Sequence, residues 1–550
     1  MTPPYNNWQK NQPLTQEQIE ISRQILAEVQ NGESVFKSIR RHPLANGGYV
    51  AKYTLVKAYH QFVQSGKFPP NEKLLRTIRM KPMRTLSGVT TVTVLTRPSP
   101  CPGNCIFCPE DEQLPKSYLM REPGAARAFQ NHFDPYLQVA SRLESYHAIG
   151  HPTDKIELLI LGGCWTAYPR EYQQWFIKCC LDALNGRDST SLEQAQVMNE
   201  TAIHRNVGLV IETRPDEINA ETAIFLRQLG VTKVQLGAQS FDDEILSRNQ
   251  RGHTAAATLK ATALLRAAGF KIVLHWMPNL LGATIESDKA DFSRMWTDGY
   301  CPDEIKIYPT QLLESTQLYR HWQQGKYQPY TTEQLIQLLA DIKPAIPSYC
   351  RVNRVIRDIP ADYIVAGNKR SSLRQDALKE LARRGLRCNC LRCREVRGQM
   401  IDPNQLTLSD LEYQAVFTQE HFLSYQTPDK LVAGYLRLSL RHESPSAEAQ
   451  SLHELYRYAP ELSGAAIIRE VHIYGQSLEV GNAQNGAAQH IGLGTELIKK
   501  AEEISKKSGY KKIAVISAIG TREYYRKRGF TIENSYMTKY LSRVVNKSQE

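Results

Sequence analysis

Apolar residues recur at helical spacing near the start of the chain and in strand-like runs after residue 90. Ile19, Ile21, Ile25, Leu26 and Val29 form a rough stripe behind Thr15, with Gln18 placed as in a capping box, and residues 14–84 are predicted helical. Residues 90–95, Thr-Thr-Val-Thr-Val-Leu, read as a strand that ends before Pro98. Apolar runs follow at 156–161, 208–212, 234–238, 270–275 and 304–308, with helical stretches such as 220–229 and 255–268 between them. Such alternation describes a parallel sheet covered on both faces. At least six units predict a barrel or partial barrel, with its chemistry at the C-terminal ends of the strands. Gly162-Gly163, Glu212-Thr213-Arg214 and Gln239-Ser240 fall at those ends. The pattern changes again at about residue 409. Two long strands are predicted at 431–440 and 465–474, a helix opening at 489–494 and running to about 507, a strand at 512–517, a short helix at 522–527 and a final strand. The fold class is α/β.

At 550 residues the chain needs more than one core. Its 41% hydrophobic and 23% charged residues are ordinary for a globular protein. No run approaches the roughly 20 apolar residues of a membrane helix, and the polar, Pro-containing start, Met1 to Lys10, has no secretory core. A cytoplasmic protein without a membrane partner is expected.

The net charge of +12 is concentrated. Lys37, Arg40, Arg41, Lys52, Lys57, Lys67, Lys73, Arg76, Arg79, Lys81 and Arg84 stand against one acid, Glu72. A second basic stretch, 366–397, includes Lys369 and Arg370. Such surpluses suit a phosphate backbone; a solvated basic helical face is the plain alternative. Six of the eleven cysteines fall in two tight groups, Cys101/Cys105/Cys108 and Cys388/Cys390/Cys393, which favours metal over disulfides.

In Cys101-Pro-Gly-Asn-Cys105-Ile-Phe-Cys108, three thiolates on one loop can hold one corner of a [4Fe–4S] cluster and leave an iron open. S-adenosylmethionine can chelate that iron. Zinc is the main alternative and would need a fourth ligand, absent nearby in sequence. The spacing, just after a first barrel strand, resembles the radical-SAM signature, and Gly162-Gly163 fits the glycine pair that such enzymes place near the methionine amino group. Gln489-His490-Ile491-Gly492-Leu493-Gly494-Thr495 opens a helix after a strand and a polar loop. Free amides at a helix N-terminus bind pyrophosphate. This pattern resembles the coenzyme A loop of GCN5-related N-acetyltransferases. Residues 470–474 supply the preceding strand, and Tyr524-Tyr525 the tyrosine near the thioester, with one of the two expected in the core.

The two signatures occur with Lys81-Pro-Met-Arg-Thr-Leu-Ser-Gly88-Val89, Arg251-Gly252-His253-Thr254, Lys306-Ile-Tyr308-Pro309-Thr310, Arg354-Val-Ile-Arg357-Asp358-Ile359-Pro360 and Tyr524-Tyr525-Arg526-Lys527. Together they resemble the catalytic subunits of Elongator over about residues 20–541, in the short-spaced bacterial and archaeal form that works without the other Elongator subunits. The resemblance implies that a 5′-deoxyadenosyl radical takes a hydrogen from the methyl group of acetyl-CoA. The carbon radical adds to carbon-5 of the wobble uridine of transfer RNA, and thioester hydrolysis leaves 5-carboxymethyluridine. It implies a cluster on Cys101, Cys105 and Cys108, with Gly162 and Gly163 near the methionine. Acetyl-CoA contacts are implied at Lys155, Glu470, Val471, His472, Ile473, Gln489, Gly492, Leu493, Gly494, Thr495 and Tyr525, with Tyr525, Tyr524 and His472 as catalytic candidates.

Cys388, Cys390 and Cys393 resemble the family's linker zinc site, with Cys350 the first choice of fourth ligand. The basic stretches become candidates for the anticodon arm: Lys37, Arg40, Arg41, Lys52, Lys57, Arg76, Arg79, Lys81, Arg84, Lys369 and Arg370. The expected domains are a basic helical region (1–84), a radical-SAM partial barrel (85–350), a zinc-type linker (351–400) and an acetyltransferase domain (401–550). Cys164-Trp165 and Met277-Pro-Asn-Leu-Leu-Gly282 depart from the family pattern at the barrel rim. A homodimer is left open. A protein lysine acetyltransferase with a non-catalytic iron–sulfur domain is the main competing function, and a methylthiotransferase-like radical enzyme or an RNA-binding scaffold the others.

Overall fold

The computed structural model describes residues 13–397, 399, 401–441, 448–474 and 492–541. Four helices, Gln16–Gln30, Val35–Arg41, Lys52–Gln64 and Glu72–Ile78, form the N-terminal region around an apolar core of Ile25, Leu26, Leu55, Val56, Phe62 and Ile78. The first is held by the capping box of Thr15 and Gln18.

A seven-stranded, all-parallel sheet follows, in which β1 (Thr90–Leu95), β2 (Lys155–Leu161), β3 (Arg205–Thr213), β4 (Lys233–Gln239), β5 (Lys271–Trp276) and β6 (Glu304–Ile307) lie in chain order. The seventh member, β8 (Arg351–Val355), comes after a short ribbon strand, β7 (Leu312–Leu313), that pairs with β9 (Ile364–Ala366). The sheet therefore runs past residue 350, where the barrel was expected to end. Each inward position alternates with one buried against the outer helices. Both faces of the strands are covered, so the runs look continuously apolar in sequence.

The second sheet, also seven-stranded, contains β10 (Thr407–Ala415), β11 (Thr418–Gln426), β12 (Val432–Arg441), β13 (Ala465–Ile473), β14 (Lys512–Val515), β15 (Thr531–Glu533) and β16 (Tyr536–Tyr540), in the order β10-β11-β12-β13-β14-β16-β15. The register of β13 with β14 ends at Ile468↔Val515, whereas its pairing with β12 continues to Ile473. One edge of 469–473 is thus released from the sheet. The helix Leu493–Lys507 packs across β12 and β13.

The two sheets share one apolar core, to which the barrel gives Leu226, Leu229 and Phe270 and the second sheet gives Ile467, Ile516, Ile519 and Tyr536. Arg227 seals the junction, donating to the carbonyls of Ser517 and Ser535 at 2.7 and 2.9 Å. Gly230 and Gly269 allow close approach, since an added Cβ would meet Ile519 at 2.8 Å and Ile467 at 3.0 Å. Among the described residues no helix is long and apolar enough to cross a membrane.

Candidate active site

A cavity of about 600 Å³ opens at the C-terminal ends of the barrel strands and is lined by Cys101, Cys105 and Cys108 from the loop after β1. The Cys105 and Cys108 thiols hydrogen-bond to each other. The Cys101 sulfur accepts from the Gly103 amide at 3.4 Å. Arg251 donates to the Cys105 sulfur at 3.4 Å and to the Gly237 carbonyl. The hydrogen bond from Cys108, followed by the charges of Arg251 and Arg214, holds the Cys105 thiol well below its ordinary value against the effect of burial. Arg214 uses Nε and Nη2 on Asp216, at 3.0 and 2.7 Å, and leaves Nη1 buried without a partner. That nitrogen fills the space a side chain at position 103 would take, so only glycine fits there.

The donor set fits a thiolate cluster better than zinc. Thiolates on one tetrahedral zinc at ~2.3 Å stand about 3.8 Å apart. Cys388, Cys390 and Cys393 meet that condition, with their sulfurs within 4.8 Å of one another; Cys101 does not complete such a group with Cys105 and Cys108. A larger cluster needs the wider spacing, and its negative charge suits a site with Arg251 and the unpartnered Nη1 of Arg214.

Gly163 lines the same cavity, and Gly162 beside it has φ +147°. An added Cβ at Gly162 would land on the Thr96 hydroxyl, which bonds to Tyr168 at 2.8 Å. Gly162→Ala is expected to cost about 2 kcal/mol and to weaken S-adenosylmethionine binding. Thermal denaturation and cofactor titration check this, and an unchanged melting temperature would mean that the loop repacks freely.

Below the thiols the lumen is polar in layers. In the strand register Glu212 stands opposite Gln235, His275 opposite Lys306 and, nearer the strand starts, Lys233 opposite Lys271, where Glu157 and Glu304 join them. Glu212 accepts from Tyr118 at 2.8 Å and pairs with Lys306 at 3.3 Å, while His275 bonds to Gln235 at 2.9 Å. Burial and the charge of Lys306 push His275 well below its ordinary pKa, so it is neutral. Lys233 pairs with Glu157 at 2.7 Å and Glu304 at 3.6 Å; Lys271 pairs with Glu304 at 2.6 Å and with Glu470 of β13. A chain of buried charges therefore passes from the lumen to the second sheet. Sequence reasoning assigned no role to Glu157, Lys233, Gln235, Lys271 or Glu304, and named Glu470 only as an implied acetyl-CoA contact. Their signal was the period-two series Lys233-x-Gln235-x-Gly237 and Glu304-x-Lys306 inside apolar runs.

On the second sheet, Glu470 also accepts from Tyr435 and Arg437, at 2.8 and 2.9 Å. His472 stacks on Tyr435, and its buried Nε2 has no partner among the described residues. Burial pushes its pKa down to about 4. Val471 and Ile473 pack on the smaller core cluster beside the helix Leu493–Lys507. That helix starts from Gly492 at φ +79° with no side-chain cap, leaving the first-turn amides of Leu493 and Gly494 available to a ligand, while the Thr495 amide donates to the Gly492 carbonyl at 2.8 Å. Gln489 lies outside the described residues.

Tyr524 and Tyr525 have different surroundings. The Tyr524 hydroxyl lies against Gly494, and the Arg528 guanidinium sits 3.4 Å from its ring centroid and 2.7 Å from Thr495 Oγ1. Tyr525 is buried against Phe530 in the core. Lys155 begins β2 at the base of the barrel, half-buried, its pKa lowered by burial.

The basic candidates divide. Lys37, Arg40, Lys81, Arg84, Lys369 and Arg370 are exposed, and no ion pair engages them among the described residues. Arg79 is buried, donating to the Gly150 carbonyl at 2.5 Å and to Glu72, so it braces the helices and cannot meet RNA. Lys52 reaches the Arg79 carbonyl at 3.2 Å, Arg76 pairs with Glu72 at 2.9 Å, and Arg41 pairs with Glu28 and Glu33, acids just outside the basic window. Lys57 is half-buried. Cys350 is not in the Cys388/Cys390/Cys393 group; it lies buried beneath, and its carbonyl accepts from the Leu391 amide. The buried amine of Lys343, without a partner among the described residues, bears on that group instead: Cys388 and Cys393 first, and the Lys343 charge after them, hold the Cys390 thiol well below its ordinary value, while the Cys388 thiol is pushed up.

A profile described as Radical SAM superfamily matches residues 99–292, and one described as Radical_SAM C-terminal domain matches residues 302–383. The chain is 42% identical over 484 residues to the tRNA uridine(34) acetyltransferase of Methanocaldococcus infernus, covering 85% of this chain and 88% of the relative. It is 42% identical to the protein of the same name from Dehalococcoides mccartyi, covering 83% and 99%. Elongator complex protein 3 of Homo sapiens is 36% identical over 494 residues, covering 86% and 88%. The solved structure of the archaeal Methanocaldococcus infernus Elp3 with an N-terminal deletion matches with a TM-score of 0.71 at 39% identity, over 83% of this chain and 100% of that one. At this identity over most of both sequences, with the thiol loop and barrel in place, the chain belongs to the radical-SAM family of Elongator complex protein 3 and the tRNA uridine(34) acetyltransferases.

Proposed function

We propose that this chain joins the acetyl carbons of acetyl-CoA to carbon-5 of the wobble uridine of transfer RNA, acting in the cytoplasm as a tRNA carboxymethyluridine synthase without other Elongator subunits. The observation that carries this reading is the continuity of the two halves. Lys271 in the barrel lumen pairs with Glu470 on β13, so the thiol site and the uncapped helix site belong to one packed body. The relatives' printed name, tRNA uridine(34) acetyltransferase, supports the substrate. We assign residues 1–84 and 366–397 to the anticodon arm, 85–355 to the barrel, the following linker to a structural zinc and 401–550 to acetyl-CoA.

When bound on Cys101, Cys105 and Cys108, an iron–sulfur cluster with S-adenosylmethionine would supply a 5′-deoxyadenosyl radical able to take a hydrogen atom from the methyl group of acetyl-CoA, leaving 5′-deoxyadenosine. Arg251 and Arg214 offset its charge. The Gly162-Gly163 backbone takes the methionine amino group. The amides of Leu493 and Gly494 take the pyrophosphate of acetyl-CoA, with Thr495 beside them and Gln489 and Gly492 shaping that turn. The free edge at Glu470, Val471, His472 and Ile473 takes the pantetheine, and Lys155 meets the ligand from the barrel side. His472, neutral at pH 7, accepts through Nε2 a proton from the water that cleaves the thioester. Tyr524 orients the acyl end and Tyr525 supports it from the core.

Acetyl-CoA with a radioactive acetyl group tests the reading. Label is expected in RNA digested to nucleosides; label on protein lysine instead would favour acetyltransferase activity by the second sheet alone.

For the zinc, Cys390→Ala should remove about one equivalent of metal and lower the melting temperature by roughly 5 °C or more. Metal analysis and calorimetry check this, and full stability without metal would rule out a folding role.

A further inference from the structure

The cavity below the thiols does not end inside the barrel. It continues past the edge strand β1, along Thr91 and Thr93, to Arg84, Arg127, Arg142 and Tyr146. Arg84 is exposed, so the lumen reaches the surface there through a lateral mouth. Arg127 comes from the helix Pro123–Gln130 and Arg142 from the helix Pro135–Ala148, both packed on β1.

These three arginines have no acid to balance them and no other fixed acceptor among the described residues. Of the other arginines on the cavity wall, Arg214 pairs with Asp216, Arg357 with Glu122 and Arg354 with Asp358, and Arg251 is engaged by the Cys105 sulfur and the Gly237 carbonyl. Among the described residues, no carboxylate pairs with Arg84, Arg127 or Arg142. The Arg142 guanidinium carbon sits over the Tyr146 ring, 3.9 Å from its centroid, a contact that holds the group in place and leaves its N–H donors without an acid among the described residues. Arg127 is half-buried, and burial with the neighbouring charge of Arg142 lowers its pKa to about 10. Like charges held together in a partly dry site need an anion to balance them, and the fork of a guanidinium matches a phosphate.

We infer that Arg84, Arg127 and Arg142 form a phosphodiester site at the lateral mouth, holding the RNA backbone beside an unpaired uridine whose base enters the lumen. This rests on the RNA reading above and gives it a route. The base reaches the thiol end through the gap at β1, and the backbone stays outside on the arginines. Arg127 and Arg142 lie beyond the basic stretches that stand out in sequence, because only the fold brings them to Arg84.

The test uses the full-length protein and a synthetic RNA hairpin with an unpaired uridine in its loop. Binding is measured against salt for the parent, R127Q/R142Q and R127K/R142K. The glutamine pair is expected to bind roughly tenfold more weakly at low salt and to flatten the salt dependence by about 0.7 per lost phosphate contact; the lysine pair keeps most of that slope. Neutral methylphosphonate linkages beside the uridine should weaken the parent and not the glutamine pair further. Equal affinity and slope for parent and glutamine pair overturns the site, as does equal weakening of both by neutral linkages. Affinity for S-adenosylmethionine alone, by equilibrium dialysis, is expected to be unchanged in R127Q/R142Q; its loss would assign the arginines to that ligand's carboxylate. A parent that binds no hairpin at all overturns the RNA reading and this site with it.

Discussion

Cys105→Ala will bring reductive cleavage of S-adenosylmethionine down to the background of metal-free protein, a drop of roughly a thousandfold or more, equivalent to about 4 kcal/mol in the barrier. The sulfur is buried, lies between Cys108 and Arg251, and sits at the centre of the only loop that brings three thiols to the cavity among the described residues. Its removal leaves Arg251 Nη1 without an acceptor, which costs about 1–3 kcal/mol. That is too little to unfold a chain whose barrel and second sheet share one core. Iron content and 5′-deoxyadenosine release should vanish while the melting temperature shifts by a few degrees. Retained 5′-deoxyadenosine release would mean that the cluster is held elsewhere.

Arg469→Met will destabilise the whole chain by about 3–5 kcal/mol, the largest stability effect expected here. Arg469 is fully buried between two carboxylates, 2.6 Å from Asp303 and 2.6 Å from Glu420, at the contact between barrel and second sheet. Without it, among the described residues, buried Glu420 keeps only the Ser439 hydroxyl, and buried Asp303 keeps Arg437 at 3.3 Å as its one charged partner. The same network sets an acid limit. Burial alone would raise the Asp303 and Glu470 pKa values, but Arg469 and Arg437 hold Asp303 far below the carboxylate range. Lys271 and Arg437 bring Glu470 to about 2. Depressed carboxylates stabilise the fold above their unfolded pKa, and that contribution is lost as pH falls through the folded one. Stability of the parent should therefore decline from about pH 5 downward. The gap between parent and Arg469→Met should narrow over the same range, because protonation relieves Glu420 and Asp303, which the variant leaves under-compensated. Urea unfolding at neutral and acid pH checks both, and a constant gap would contradict the linkage.

Most of the barrel was legible because the strands are long, apolar and separated by helices. The run at 156–161 became β2, and that at 234–238 became β4, each extended by one or two residues. β8 was overlooked because Arg351-Val-Asn-Arg-Val carries polar residues at its inward positions, facing Glu304 and Tyr474. β10 was overlooked for the opposite reason: it is an edge strand with exposed Asp410 and Glu412, and no core pattern marks it. The thiol loop stood out because local spacing carries its chemistry. The lumen charges Lys233, Lys271 and Glu304 did not, since they meet one another, and Glu470, only through the topology of two sheets. Arg79 illustrates the limit of charge counting: a residue counted into a basic surface is buried on the Gly150 carbonyl.

Two ligand sites acting on one nucleoside is the central claim. Its most direct test is anaerobic incubation of the iron-reconstituted chain with reductant, S-adenosylmethionine, acetyl-CoA and transfer RNA, followed by mass spectrometry of the nucleosides. 5-Carboxymethyluridine is expected with the complete mixture and absent when acetyl-CoA or S-adenosylmethionine is omitted. A modified uridine formed without S-adenosylmethionine, or none formed while protein lysine is acetylated, would contradict it.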